Sequence, residues 1–290
     1  MPSEKESEKE IRFFSAKDKN FPKELLQTPW PPKGIYVKGE MESEAPKVAI
    51  VGTRRATSYG KDIAFKIAET LAEEGVIIVS GLALGIDSAV HEGALKAGGK
   101  TWAVLGSGIE NIWPRSNLKL AGRILESGGA LISEYPPGTK AQFFTFPQRN
   151  RIVAGLSKLV IVVEAPEKSG ALITARLALE AGREVAAVPG DITRANFLGA
   201  NRLLREGAHP IAEPQDALYL IGIEPREKTL RLDSADKIGE SILQCLNEPK
   251  SADEIIRETK LAPAQVSQKL MELSLQNLAE QQGGVWQRKI

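Results

Sequence analysis

Between Val48 and Val188 the sequence alternates short apolar runs with longer segments of helical pattern. Strands buried on both faces read as nearly continuous apolar runs, so this alternation predicts a mostly parallel sheet covered by helices. The fold class is therefore α/β, with a doubly wound, mostly parallel sheet. The predicted strands are Val48–Val51, Val76–Ser80, Thr101–Leu105, Ala130–Ser133, Lys158–Val163 and Glu184–Val188, and the helices between the first four are Tyr59–Glu74, Ile86–Ala97 and Arg115–Glu126. Right-handed crossovers bring every strand-to-helix loop to one edge of the sheet, where such folds bind ligands.

The C-terminal part of the chain has a different pattern. A charged, weakly periodic stretch from Ile223 to Asp233 precedes three helical segments and a hairpin: Lys237–Asn247, Ser251–Thr259, Pro263–Gln276, and a turn at Gly283–Gly284. Ser251 followed by Glu254 predicts a capping box at the start of the second helix. Three short helices followed by a hairpin predict a small winged helix-turn-helix domain.

We therefore expect four parts along the chain. They are a disordered tail over 1–12, the α/β domain over 13–222, a linker over 223–236 and the winged-helix domain over 237–290. The segment Pro31–Gly39 is predicted to be an extended lead-in that flanks the sheet.

Three segments at the predicted ligand edge are basic. The loop after the first strand offers a glycine, hydroxyls and two arginines without an acidic neighbour between Lys47 and Lys61; its candidate ligand-binding residues are Gly52, Thr53, Arg54, Arg55, Ser58 and Gly60. A helix cap with solvated arginines is the structural alternative, but two adjacent arginines exceed what a cap requires.

The second basic segment is FPQRNRIVAGLS, residues 146–157, which we interpret as a loop carrying Arg149, Asn150 and Arg151. No acidic residue lies between Tyr135 and Val163. The planar guanidinium forks suit phosphate. We expect Arg54 and Arg149 to dominate binding, and their loss to change thermal stability little.

The third segment places Lys168, Ser169 and Gly170 at a predicted helix start, where free N–H groups attract an anion. A simply capped helix explains these residues equally well. Asp87 and His91, four apart on one predicted helix, are interpreted as a structural pair rather than an acid-base dyad.

Several chemistries lack their sequence signals. The chain has no GxxxxGK[ST] phosphate loop, no metal-ligand spacing and no nucleophile elbow, so we expect binding rather than catalysis, with no cofactor and no metal. Its single cysteine, Cys245, excludes an internal disulfide and fits a reducing compartment. No signal peptide or bilayer-spanning run is present, so we expect a cytoplasmic protein without membrane contacts.

Six segments of the chain, in this order, resemble the DNA-processing protein A family (DprA, also called Smf). The resemblance rests on VGTRRATSYG, SGLALGIDSAVHEGAL, GSGIENIWP, FPQRNRIVAGLS, VVEAPEKSGALITARLALEAGREVAAVPG and GANRLLREGA. It implies that the α/β domain over 13–222 is an extended Rossmann-like domain that binds single-stranded DNA. It also implies a homodimer that protects incoming strands during natural transformation and helps load RecA recombinase on strands otherwise held by single-strand-binding protein. It places the DNA pocket at Arg54 and at Arg149–Arg151, with Ser169 and Gly170 as a helix-start motif.

Two other functions remain open at this point. A nucleotide-ligand-binding enzyme or sensor would use the same superfamily fold, because fold alone does not fix function. Alternatively, the winged-helix domain would read duplex DNA. From Asp233 to Ile290, however, nine acidic residues outnumber seven basic ones, and the third helix offers only Lys269. These charges favour a protein-contact role for that domain.

Overall fold

The computed structural model describes residues 10–41, 44–225, 237–275 and 278–288. The chain divides into two compact units, Met1–Pro225 and Arg226–Ile290. Most of the expected N-terminal tail and of the expected linker lies outside the described residues. The tail was expected to end at residue 12, but Arg12 already belongs to the first strand.

The first unit is built on a nine-stranded sheet of order β1-β2-β6-β5-β4-β3-β7-β8-β9. Its strands are β1 Arg12–Ser15, β2 Gly34–Gly39, β3 Lys47–Val51, β4 Ile77–Ser80, β5 Thr101–Leu105, β6 Ala130–Ser133, β7 Leu159–Val162, β8 Glu184–Ala187 and β9 His209–Pro210. Strands β3 to β9 are parallel, whereas β1 and β2 add an antiparallel edge beside β6. The mostly parallel α/β fold predicted from the sequence is confirmed.

Helices cover both faces of this sheet. They are α1 Ser58–Glu73, α2 Ile86–Lys96, α3 Leu118–Glu126, α4 Thr145–Gly155, α5 Gly170–Glu180, α6 Leu198–Arg205 and α7 Asp216–Leu220, with short 3-10 turns at Lys23–Gln27, Arg115–Asn117 and Ala195–Phe197. Alternate residues of β3 face opposite cores. Ala49 and Val51 pack with α4, α5 and α6, whereas Val48 and Ile50 pack with α1, α2 and α7.

The segment interpreted as a basic loop is helix α4 instead. Pro147 is its third residue, where the missing N–H costs no intrahelical hydrogen bond. Ile152 and Val153 are buried against the sheet, so the apolar side of the segment stabilises the helix, in which Arg149 and Arg151 are the fifth and seventh residues.

The second unit contains α8 Lys237–Cys245, α9 Ala252–Thr259, α10 Pro263–Leu275 and the antiparallel hairpin β10 Ala279–Gln282 with β11 Val285–Arg288. The predicted capping box between Ser251 and Glu254 is present. Its own apolar core includes Ile242, Ile255 and Leu270. The unit is a winged helix. Within the described residues, no helix combines the length and apolar character needed to cross a bilayer.

Candidate nucleic-acid interface

A pocket of about 550 Å³ lies where the sheet changes winding direction. From β3 the chain runs outward through β4, β5 and β6, and then returns to place β7 on the other side of β3. Open α/β sheets bind ligands at such a switch point. We call this the switch-point pocket; its walls include Gly52, Thr53, Arg54, Arg55, Gly81, Asp87, Phe143, Phe146, Arg149, Asn150, Lys168, Ser169, Gly170 and Ile173.

Arg149 forms the buried base of this pocket. Only 6% of the residue is exposed. Its Nη1 donates to the carbonyl oxygen of Val104, and its Nη2 lies 3.9 Å from Oδ2 of Asp87. Burial lowers the pKa of Arg149, and Asp87 opposes that shift. A Cβ at Gly81 would lie 1.8 Å from Nη1, so only glycine leaves room for this guanidinium.

Asp87 holds the loop after β4 as well as Arg149. Its Oδ2 accepts from the backbone N–H groups of Gly81 (3.1 Å) and Ala83 (3.3 Å). Burial raises the pKa of the Asp87 carboxyl, and Arg149 and these donors offset part of the rise. The structure gives His91 a different partner: its Nδ1 lies 2.7 Å from Oγ1 of Thr101. Both side chains are therefore structural, with separate roles.

The remaining cations of the pocket are exposed. Arg54, Arg55 and Lys168 all reach solvent, and the Arg54 guanidinium lies 5.0 Å from the centroid of the Phe146 ring. Together with Arg149, the pocket lining holds four basic side chains against one acidic side chain, Asp87. The pocket consequently attracts anions.

The N-terminus of α5 opens into the same pocket. Ser169 caps the helix, its Oγ accepting from the N–H of Ala171 at 3.3 Å. A Cβ at Gly170 would meet no atom within 4 Å, whereas one at Gly52 would meet Ile86 and the carbonyl oxygen of Glu164. Gly170 thus leaves the helix end open to a ligand, while Gly52 permits close packing of protein loops.

Three candidate residues do not line the pocket. Ser58 is the exposed first residue of α1, whose cap is Thr57. Gly60 is buried against the Glu164 carboxylate. Arg151 points to the opposite side of α4 and forms an ion pair with Glu134 at 2.6 Å. The structure therefore brings together nine of the twelve candidates.

Sequence reasoning missed the aromatic and apolar part of the pocket. Phe143 is 93% exposed, and Phe146 and Ile173 also line the wall. The run FFTF, residues 143–146, lies just before the arginines and could have indicated this part of the pocket. Exposed aromatic residues beside basic ones are typical of single-strand binding sites. Among the described residues no group of three His, Cys, Asp or Glu side chains is placed to hold a metal ion.

Fold and pocket define a class: doubly wound α/β proteins with a basic pocket at the switch point and an appended winged-helix domain. The particular family follows from direct comparison. The chain belongs to the DNA recombination-mediator protein A family, whose model matches residues 12–222. A second model, described as the DprA winged helix domain, matches residues 226–285.

Three individual proteins show the extent of the similarity. Protein Smf of Escherichia coli is 45% identical over 199 residues, which cover 68% of this chain and 53% of that protein, about half its length. The crystal structure of DprA from Streptococcus pneumoniae gives a TM-score of 0.69 at 39% identity, covering 76% of this chain and 77% of that one. The structure of DprA from Helicobacter pylori is described in terms of its single-stranded DNA binding mode. It gives a TM-score of 0.65 at 32% identity, covering 73% of this chain and 96% of that one.

Proposed function

We propose that this protein binds single-stranded DNA through its phosphates, in the switch-point pocket. The observation that carries the proposal is the convergence of exposed Arg54, Arg55 and Lys168 with the open N-terminus of α5. Helix N–H groups and arginine forks are the donors that phosphate oxygens prefer. The Helicobacter pylori relative, described as binding single-stranded DNA, supports the same ligand for this chain.

The exposed aromatic rings favour a single strand over a duplex. Phe143, which lines the pocket, is 93% exposed, and the next residue, Phe144, is 56% exposed. Bases can stack on such rings only when they are not already stacked in a double helix, and stacking tolerates every sequence. The ligand is therefore a single strand bound without strong sequence preference.

Membership of the family also suggests a more specific role for the protein. We propose that the protein acts as a homodimer that protects incoming single strands during transformation and helps load RecA recombinase on them, with single-strand-binding protein, which otherwise holds these strands, as an indirect partner. The family description as a recombination mediator supports this role. The switch-point pocket is then a binding site for a polymer rather than the centre of a reaction.

Titration of labelled oligothymidylate and of a duplex of equal length, at several salt concentrations, tests the proposal. The single strand should bind more tightly, and log affinity should fall with log salt by about 0.7 per phosphate contacted. Affinity independent of salt, or preference for the duplex, would contradict it. Saturable binding of a free nucleotide more tightly than the oligonucleotide would instead favour a nucleotide sensor.

A further inference from the structure

A second pocket of about 540 Å³ adjoins the first, and the two share Pro147 and Ile173. We call it the Trp30 pocket. Its other lining residues are Trp30, Glu134, Tyr135, Gln148, Arg151, Arg176 and Leu177. Because the pockets meet along α4 and α5, a polymer that leaves one can enter the other.

Arg151 organises this second pocket instead of binding phosphate in the first. Its Nη2 lies 2.6 Å from Oε1 of Glu134, its Nε donates to the carbonyl oxygen of Trp30 at 2.7 Å, and its Nη1 donates to that of Gln148 at 2.7 Å. Only 11% of its side chain is exposed. Its charge is therefore neutralised and its donors are largely used within the protein.

Trp30 is held in an unusual conformation. Its φ of 51° lies in the left-handed region, which bulky residues rarely adopt. Strained backbone persists where its surroundings hold it, and it concentrates at ligand sites. Here the hydrogen bond from Arg151 holds the backbone. The residue is nevertheless 75% exposed, so its indole is presented to solvent rather than packed.

The chemistry of the Trp30 pocket suits an uncharged ring. Its cations are Arg151, neutralised by Glu134, and Arg176, which lies 3.5 Å from Glu180. Trp30 and Tyr135 supply aromatic surface, and Ile173 and Leu177 supply an apolar wall. A nucleobase would therefore gain stacking and apolar contact here.

We propose that the Trp30 pocket binds a base of the same single strand whose phosphates occupy the switch-point pocket, and that the indole of Trp30 stacks on this base. This inference rests on the proposed function and adds a base subsite to it. Arg151 is the residue that positions Trp30.

The test combines Trp30→Ala with oligothymidylates that carry one abasic residue at successive positions. In the unmodified protein, loss of the base at one position should weaken binding about 5- to 150-fold, the equivalent of 1–3 kcal/mol. In Trp30→Ala that position should tolerate the abasic residue. The salt dependence should stay the same in both proteins, because no phosphate contact is lost.

Two further variants serve as controls. Trp30→Phe should keep most of the positional dependence, and Trp113→Ala, which removes a tryptophan of 55% exposure that lines neither pocket, should behave as the unmodified protein. A fluorescence measurement does not depend on whether Trp30→Ala folds. Saturating oligonucleotide should quench the tryptophan fluorescence of the unmodified protein, and should quench that of Trp30→Phe to a smaller extent. Equal quenching in both would overturn the inference.

The outcomes separate the two proposals. If Arg54→Ala weakens binding while Trp30→Ala keeps the original abasic profile, the base subsite is wrong and the phosphate pocket stands. If the unmodified protein does not bind the oligonucleotide, both are wrong.

Discussion

Arg54 and Arg149 carry the same charge at the same pocket but occupy opposite environments. Arg54 is exposed and rests over Phe146, whereas Arg149 is buried with Asp87 beneath the loop after β4. This burial leads us to revise the expectation for Arg149, whose loss should lower stability, and to keep it for Arg54. Removing one partner of a buried ion pair leaves an uncompensated charge, which costs several kcal/mol.

We expect Arg149→Ala to lower the free energy of unfolding by about 3 kcal/mol. Arg54→Ala should change it by less than about 0.5 kcal/mol but weaken single-strand binding by about 1–3 kcal/mol, with a smaller salt dependence. Chemical denaturation and oligonucleotide titration separate the two effects. Arg205→Ala, at an exposed arginine outside the pocket, is the matched control and should leave both quantities unchanged.

His91 is a buried residue whose protonation opposes folding. The Thr101 hydroxyl donates to the carbonyl oxygen of Ile78, so it accepts from His91 and the imidazole proton resides on Nδ1. Its buried Nε2 has no hydrogen-bond partner. Burial, and secondarily the charge of Arg149, lower the pKa of His91 from 6.5 to about 3. The unfolded chain therefore binds a proton between these pH values while the folded protein does not.

Stability must consequently fall as the pH falls below 6.5. We expect His91 to account for a loss of about 2 kcal/mol between pH 7.5 and pH 5. His91→Asn keeps a donor toward Thr101 and removes the titration, so its stability should depend less on pH over this range. Urea unfolding at several pH values measures the difference. An identical pH dependence in both proteins would show that His91 titrates normally when folded.

At the scale of elements, apolar periodicity predicts the parallel strands and the flanking helices because a doubly wound sheet is buried on both faces. Strand β1 was not predicted, because Arg12–Ser15 is only four residues long and lies at the edge of the sheet. Helix α4 was missed because its proline and arginines suggest a loop when the buried side of Ile152 and Val153 is ignored. Because the segment was interpreted as a loop, the opposite orientations of Arg149 and Arg151 were not predicted either. These orientations follow from the geometry of a helix.

The whole molecule consists of two units with separate cores. On the winged-helix unit, Lys269 of α10 lies 2.5 Å from Glu272, and Met271 and Leu275 are 67% and 84% exposed. A helix that presents apolar side chains and one paired lysine is poorly equipped to read base edges. A protein-contact role for this unit remains our proposal.

Truncation after Pro225 should leave the first unit folded and its single-strand affinity within about tenfold, 1.4 kcal/mol, of the full chain. Both proteins must be compared at one salt concentration and at a measured dimer fraction, because dimerisation alone changes avidity. Thermal melting reports folding and oligonucleotide titration reports affinity. A much larger loss at equal dimer fraction would mean that the winged-helix unit contacts DNA.

The position of β3 also sets the order in which the site is assembled during synthesis. Val48 pairs on one side with Ile78, but on the other with Leu159, more than one hundred residues later. Contacts of such sequence separation close large loops and form late. Arg54 emerges from the ribosome early. The elements that complete the pocket are made about one hundred residues later, α4 just before β7 and the start of α5 just after it. A nascent chain therefore completes the switch-point pocket only once the two halves of the sheet have joined.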